Sequence, residues 1–451
     1  MNYNFTKDFA LQADASDPLN SYRDKFVFPE HLGKKALYFT GNSLGLMPKK
    51  VREYINEELD DWGKFGVEGH FQSRRPWYSY HENFNSMMAE IVGAKKNEVV
   101  LMNGLTTNLH LMMISFYQPT EKRHKIICEK KAFPSDQYML ETQLKHHGYN
   151  PSEALIEVSP RDGEETIREE DILNAIEENK DELALIFIGG VNYYTGQLFD
   201  MKSITACAHK YGIIAGFDLA HGAGNVLLKL HEWDVDFACW CTYKYLNAGP
   251  GSVSGVYINE KHATDQELNR FGGWWGHDKE TRFLMEPGFQ PIPTAEGWQL
   301  SNAPIFSMTP LLASLELFSS AGMRNLHSKG ERLSGYLEYV VDEINKELAE
   351  SLEIITPREK SQRGCQLSIV AHGRGKELFD KLTDRGVIAD WREPNVIRMA
   401  PVPMYNSFED IFDFGIILKE SLNKTNSKLF ISFVIIKTVL TNYKMNLKEV
   451  K

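Results

Sequence analysis

From residue 98 onward the chain alternates short, unbroken apolar runs with amphipathic stretches. The runs are EVVLM (98–102), KIIC (125–128), LALIFI (183–188), GIIAGFD (212–218), FACWC (237–241) and SGVYI (254–258). Most are apolar without alternation, the pattern of strands covered on both faces. Residues 170–179 and 201–210, between them, read as helices. The alternation predicts a doubly wound α/β sheet. Upstream, residues 49–62 place Val51, Ile55, Leu59 and Trp62 on one helical face, with Pro48 suited to the first turn. Residues 259–310 are rich in Gly, Pro and Trp and read as long shaped loops. Helices return at 310–350, and CQLSIV (365–370) reads as a short strand.

These shifts divide the chain into an N-terminal segment (1–50) packing with a smaller domain, a large domain (51–309), that smaller C-terminal α+β domain (310–425) and an atypical tail (426–451). In the tail, LFISFVIIKTVL (429–440) is too short to span a bilayer; a packed terminal helix or strand is expected, with a membrane-surface segment or a frameshifted extension as the alternatives.

Composition narrows the function classes. With 451 residues, 42% hydrophobic and 25% charged, the chain can bury a large core. A formal charge of −11 disfavours nucleic acid as the main partner, because phosphate binding draws on a basic surface. The N-terminus lacks a basic region followed by an apolar run, and no apolar run reaches membrane-spanning length, so no membrane partner and a cytoplasmic location are expected. The five cysteines are odd in number and form no CxxC pair, which disfavours a disulfide framework or zinc knuckle. His146 and His147 are adjacent and cannot share a helix face, so no metal centre is expected.

Four segments fall where an open α/β sheet binds ligands, beyond the carboxyl ends of its strands. GLTTN (104–108) stands between a strand and a helix and suits an anion, although a threonine N-cap would also account for it. Asp218 ends a buried run, where a carboxylate needs a partner. A protonated pyridine nitrogen would serve; so would a helix N-terminus. His221, three residues on, is near enough to reach the same ring. Lys244, in CTYKYLNAGPG, follows the run FACWC and is a candidate nucleophile. In AFPSD (132–136), Phe133 could stack on a flat ring and Ser135 and Asp136 could bond polar groups, or the segment could be a turn. Together the four fit one ligand: a phosphorylated pyridine aldehyde held by an anion cradle, an aromatic face, an acid and an imine-forming lysine.

The chain resembles kynureninases, within the aspartate-aminotransferase-like (type I) pyridoxal-phosphate enzymes. The resemblance runs from about residue 8 to 422. It rests on YFTGNSLG (38–45), GHF…RPW (69–77), GLTTNLH (104–110), FPSD (133–136), YYTGQ (193–197), DLAHGAGN (218–225), YKYLNAGPG (243–251), GWWGH (273–277), LSNAP (300–304), RGCQLS (363–368) and RMAPVPMYNSFED (398–410).

It implies a mostly parallel seven-stranded central sheet flanked by helices, a smaller α+β domain, and a homodimer with shared active sites. It implies Lys244 as the imine lysine and, with Tyr243 and Asp136, part of the catalytic set. Leu105, Thr106, Ser135 and Tyr243 would surround the cofactor phosphate. Phe133 would stack on the ring, Asp218 would pair with its nitrogen, His221 would lie nearby, and Pro134 and Asp136 would belong to the binding loop. Trp274 and Asn302 would come from the neighbouring subunit. Arg398 would clamp the substrate carboxylate, with Ser43, His70 and Asn302 around its aryl end. The implied reaction is hydrolysis of L-kynurenine, or its 3-hydroxy form, to L-alanine and an anthranilate, in tryptophan catabolism or NAD biosynthesis. One position departs: where the family often has a small hydroxyl residue before the Gly-Val of the YYTGQ strand, this chain has Gly189.

Other enzymes similar in fold are the main rivals. A cysteine desulfurase needs a mobile nucleophilic cysteine, whereas Cys365 falls in an apparent strand. An aminotransferase is not expected to carry GWWGH or RMAPVPMYNSF. A non-catalytic binding protein on this fold has no evident need for both Asp218 and Lys244.

Overall fold

A computed structural model describes residues 2–349 and 352–423 of the chain. The tail expectation therefore lies outside the described residues. All six apolar runs form strands: β1 (Val99–Met102), β2 (Lys125–Glu129), β4 (Leu183–Gly189), β5 (Ile214–Asp218), β6 (Phe237–Cys241) and β7 (Ser254–Ile258). A seventh, β3 (Leu155–Val158), escaped the pattern because it lies at the sheet edge, with Glu157 exposed and Leu155 and Ile156 half-buried.

The sheet order is β1-β7-β6-β5-β4-β2-β3. Pairing is parallel from β6 through β3, while β7 runs antiparallel to both its neighbours. Helices Leu105–Phe116, Pro134–His146, Glu169–Asn179 and Met201–Lys210 connect the strands. Separate hydrophobic clusters form, one around Ile186, Phe217 and Trp240 and another around Met112, Phe187 and Phe237, consistent with a sheet buried on both faces. The sheet register sets Asp218 beside Gly189 on one side and Cys239 on the other. Glu129, Gly189 and Asp218 thereby end three neighbouring strands at the same edge of the sheet.

A second sheet, of order β8-β9-β11-β10, contains β8 (Leu352–Ile354), β9 (Leu367–Ala371), β10 (Asp390–Arg392) and β11 (Val396–Met399). Its core includes Leu337, Ile369 and Phe414. The first 50 residues serve both cores. Ala10 and Ala13 join that of the second sheet, and Leu37–Tyr38 pairs parallel with Val387–Ile388. Phe26 and Leu46 join that of the seven-stranded sheet.

The helix expected at 49–62 forms as Val51–Phe65, but with a different buried face. Tyr54, Glu58 and Asp61 are inside, whereas Leu59 and Trp62 are exposed. Arg75, Trp77 and Tyr80 all donate to the Glu58 carboxylate, at 2.7, 3.0 and 3.2 Å, and the Arg74 N–H donates to Asp61 at 2.8 Å. A paired carboxylate tolerates burial. Pro48 stands outside the helix, in a two-residue strand paired with Phe26–Val27.

Candidate active site

The helix Leu105–Phe116 begins at Gly104, which has extended backbone and provides no side-chain cap. The threonine-cap alternative is thereby excluded. Leu105, Thr106 and Thr107 lie in the first turn and line a cleft of about 310 Å³. First-turn N–H groups have no intrahelical partner, so they favour an anion there. Opposite, the helix Pro134–His146 begins just after Phe133. Phe133, Ser135 and Asp136 line the same cleft, while Pro134 does not. Pro134 occupies a first-turn position of that helix, where a missing N–H costs nothing.

Asp218, Tyr243, Lys244 and His221 complete the wall. Lys244 stands in the turn after β6, with its Nζ 5.7 Å from the Phe133 ring centre and 6.0 Å from that of Tyr243. The turn is clamped from outside: the Gly45 N–H donates to the Tyr243 carbonyl at 2.8 Å. Any side chain at Gly45 would collide with the turn, since a Cβ there would lie 2.4 Å from the Lys244 carbonyl oxygen.

The electrostatics are unusual. Asp218 is buried and accepts the Ala220 N–H at 2.7 Å. Burial raises its proton affinity, opposed by the Lys244 charge and by a hydrogen bond from Asp136. Asp136 is pushed well above the usual carboxylate range by burial, by the charges of Asp218 and Glu129, and by that shared hydrogen bond. Of the two, Asp136 is the one driven further towards its neutral form. His221 is driven below its usual range by burial and by Lys244, so it is neutral, and its Nδ1 is buried without a hydrogen-bond partner. Burial and the nearby Cys241 hold the Tyr243 phenol protonated.

Several expected site residues stand apart from this cleft. Trp274 is exposed and donates to the Arg282 carbonyl at 3.3 Å. Asn302 is exposed, outside any helix or strand, and does not line the cleft. Ser43 and His70 do not line the cleft, and the His70 Nδ1 bonds the Val67 carbonyl at 2.9 Å. Arg398 is buried one layer away. It donates to the Tyr193 carbonyl at 2.5 Å and pairs with Asp390. Tyr193 lines the cleft and packs edge-on against Phe133, with ring centres 5.1 Å apart. Glu129 was missed. It is a cleft-lining carboxyl that ends β2 just as Asp218 ends β5, and the same strand-end rule would have found it.

The donor set fits pyridoxal phosphate. Asp218 is buried at a strand end on the cavity wall, where a protonated ring nitrogen would give its carboxylate a charged partner. The uncapped helix start suits the phosphate.

Comparison with known proteins agrees. Residues 326–418 match the family model described as the kynureninase C-terminal domain. A kynureninase of Flavobacterium psychrophilum is 56% identical over 422 residues, covering 94% of this chain and 99% of that protein. One of Myxococcus xanthus is 54% identical over 410 residues, covering 91% and 96%. Among solved structures, a cysteine desulfurase of Escherichia coli superposes with a TM-score of 0.72 at 15% identity, covering 90% of this chain and 98% of that one. One from Thermococcus onnurineus gives 0.70 at 18% identity, covering 91% and 97%. These structures share the type I fold, and the near-full-length identities decide the rest: the chain belongs to the kynureninase family.

Proposed function

We propose that the Lys244 cleft is where this chain hydrolyses the Cβ–Cγ bond of L-kynurenine or 3-hydroxy-L-kynurenine, releasing L-alanine and anthranilate or 3-hydroxyanthranilate. The carrying observation is the convergence of Lys244, Asp218 and the Leu105–Phe116 helix start on one cleft. Pyridoxal phosphate, bound there, supplies an electron sink for charge developing on the amino-acid carbons. Thr106, Ser135 and Tyr243, with the N–H of Leu105, hold its phosphate. Phe133 covers its ring, and the Asp218 carboxylate holds its ring nitrogen protonated. Lys244 Nζ removes the proton from the substrate α-carbon as general base. The Tyr243 hydroxyl is the proton donor near the leaving carbon. The test is an absorbance spectrum followed by kynurenine addition. A visible cofactor band and growing anthranilate fluorescence are expected; a colourless protein without product, after cofactor is supplied, overturns the reading.

Cys365 argues against desulfurase chemistry. It is buried, and burial pushes its thiol up to about 12, which leaves little thiolate nucleophile.

Arg398 is the clamp for the substrate carboxylate, with Asp390 holding its fork in place. Arg398→Ala is expected to raise KM on the order of 10²-fold, equivalent to about 2–3 kcal/mol for a charged hydrogen-bonded pair. Steady-state kinetics read it, and an unchanged KM removes Arg398 from this role.

Ser43, His70 and Asn302 would surround the aryl end of the substrate, and the working form is a homodimer. Trp62, Phe71, Trp274 and Phe283 are 48% to 64% exposed, a density of bare aromatics uncommon on monomers. Phe71, Tyr78, Phe283 and Trp274 form one continuous set of ring contacts. In this arrangement Trp274 and Asn302 serve the cleft of a second copy. Neither Lys244→Ala nor Trp274→Ala chains alone are then active. Dissociated, mixed and reassociated, they recover about a quarter of wild-type activity, since half the dimers are mixed and each holds one intact site. No recovery in verified mixed dimers refutes the sharing. Cytoplasmic location is part of the same reading; no helix among the described residues is long and apolar enough to cross a membrane.

A further inference from the structure

Glu129 is buried at the end of β2 and lines the cleft. Both its carboxyl oxygens accept the Gly189 N–H, at 3.1 and 3.2 Å. The approach depends on glycine: a Cβ at 189 would lie 2.9 Å from Glu129 Oε1. Gly189 stands in register with Asp218 on the adjoining strand. The space a side chain at 189 would need is therefore occupied by the carboxyl of Glu129 from the neighbouring strand.

We infer that Glu129 is a positioning residue for the cofactor's ring nitrogen, supplying a second negative charge behind the Asp136–Asp218 pair. The inference rests on the reading that pyridoxal phosphate binds in this cleft against Asp218. A bare Gly189 makes room for that acid at the strand end.

The charged group that bears on Glu129 is Asp218 on β5, while Glu129 in turn raises Asp136 on the helix after Phe133, Tyr193 in the loop after β4 and Cys128 on its own strand. Lys244 acts on the cluster through Asp218. Burial, opposed by its backbone hydrogen bonds and reinforced by the Asp218 charge, leaves the Glu129 carboxyl pushed up to about 7. Glu129 thus passes from neutral to charged as pH rises through neutrality. That charge favours the protonated ring nitrogen when bulk proton activity is falling.

Glu129→Gln separates this role from a structural one. The amide oxygen still accepts the Gly189 N–H, so a purely structural role survives the change, whereas the charge does not. The dissociation constant for pyridoxal phosphate and the pH dependence of its visible band are measured on purified protein at pH 6 and pH 8.5. Relative to wild type, Glu129→Gln is expected to bind the cofactor about tenfold more weakly at pH 8.5 and nearly equally at pH 6. Its band should lose the transition near neutrality. Equal affinities at both values and an unchanged band profile overturn the inference. Gly189→Ala, whose methyl displaces the carboxyl without adding a hydroxyl, should reproduce the loss at pH 8.5. It decides the matter by the same criterion if Glu129→Gln does not fold. A wild-type protein that forms no visible band refutes the cofactor reading instead, so the two failures are distinguishable.

Discussion

Lys244→Ala is expected to lower kcat by about 10³-fold or more while leaving the fold intact. The size follows from losing both the covalent anchor and the base, since a positioned base alone contributes about 10²–10⁴-fold. The fold survives because Lys244 is only half-buried, in a turn held by its backbone. The Gly45 N–H bonds the Tyr243 carbonyl, and the Asn247 N–H bonds the Lys244 carbonyl at 3.0 Å; neither uses the lysine side chain. Circular dichroism and single-turnover kinetics check the two halves separately. Sustained turnover near the wild-type rate would remove Lys244 from the mechanism.

Asp218→Asn is the second large effect. Asparagine keeps the shape and can still accept the Ala220 N–H, so packing at β5 is preserved. It cannot hold a positive ring nitrogen, and it removes the negative charge that helps keep the Asp136 carboxyl neutral. Losing one partner of a desolvated charged pair costs about 2–5 kcal/mol. The expected drop in kcat/KM is therefore on the order of 10²–10³-fold, with weaker cofactor retention in dialysis. Unchanged kinetics together with unchanged retention would refute the pairing.

Both residues were legible in one dimension for the same reason. A charged residue at the end of an unbroken apolar run is visible without knowing the fold, and the runs that became β5 and β6 led directly to Asp218 and Lys244. Glu129 obeyed the same rule, but the run before it was cut at Cys128. The helix Val51–Phe65 resisted reading for a deeper cause. Its buried face is polar, and what makes that face burial-competent is Arg75, Trp77 and Tyr80, 17 to 22 residues away from Glu58. Periodicity assigns apolar residues to the inside and has no means to see such a partner set. Trp274 and Asn302 were proposed for the cleft of a second copy without any physical signal in the sequence. Composition does not say whose cleft a loop serves, and only the resemblance to kynureninases suggested a second copy. Arg398 was likewise named only through the resemblance, and its pairing with Asp390 depends on the antiparallel register of β10 against β11.

The strand order has a consequence for how the chain is made. β1 has one neighbour, β7, whose pairing runs from Ser254 against Met102 to Tyr257 against Val99. About 150 residues must be synthesised between these partners. At about 5–20 residues per second, β1 waits roughly 8–30 s with its backbone edge unpaired. Such an edge, all four of its residues apolar and buried in the finished protein, is a template for pairing with another chain. Slower growth at lower temperature, or a holdase during translation, should therefore raise the soluble yield of this protein more than a change to any residue of its cleft.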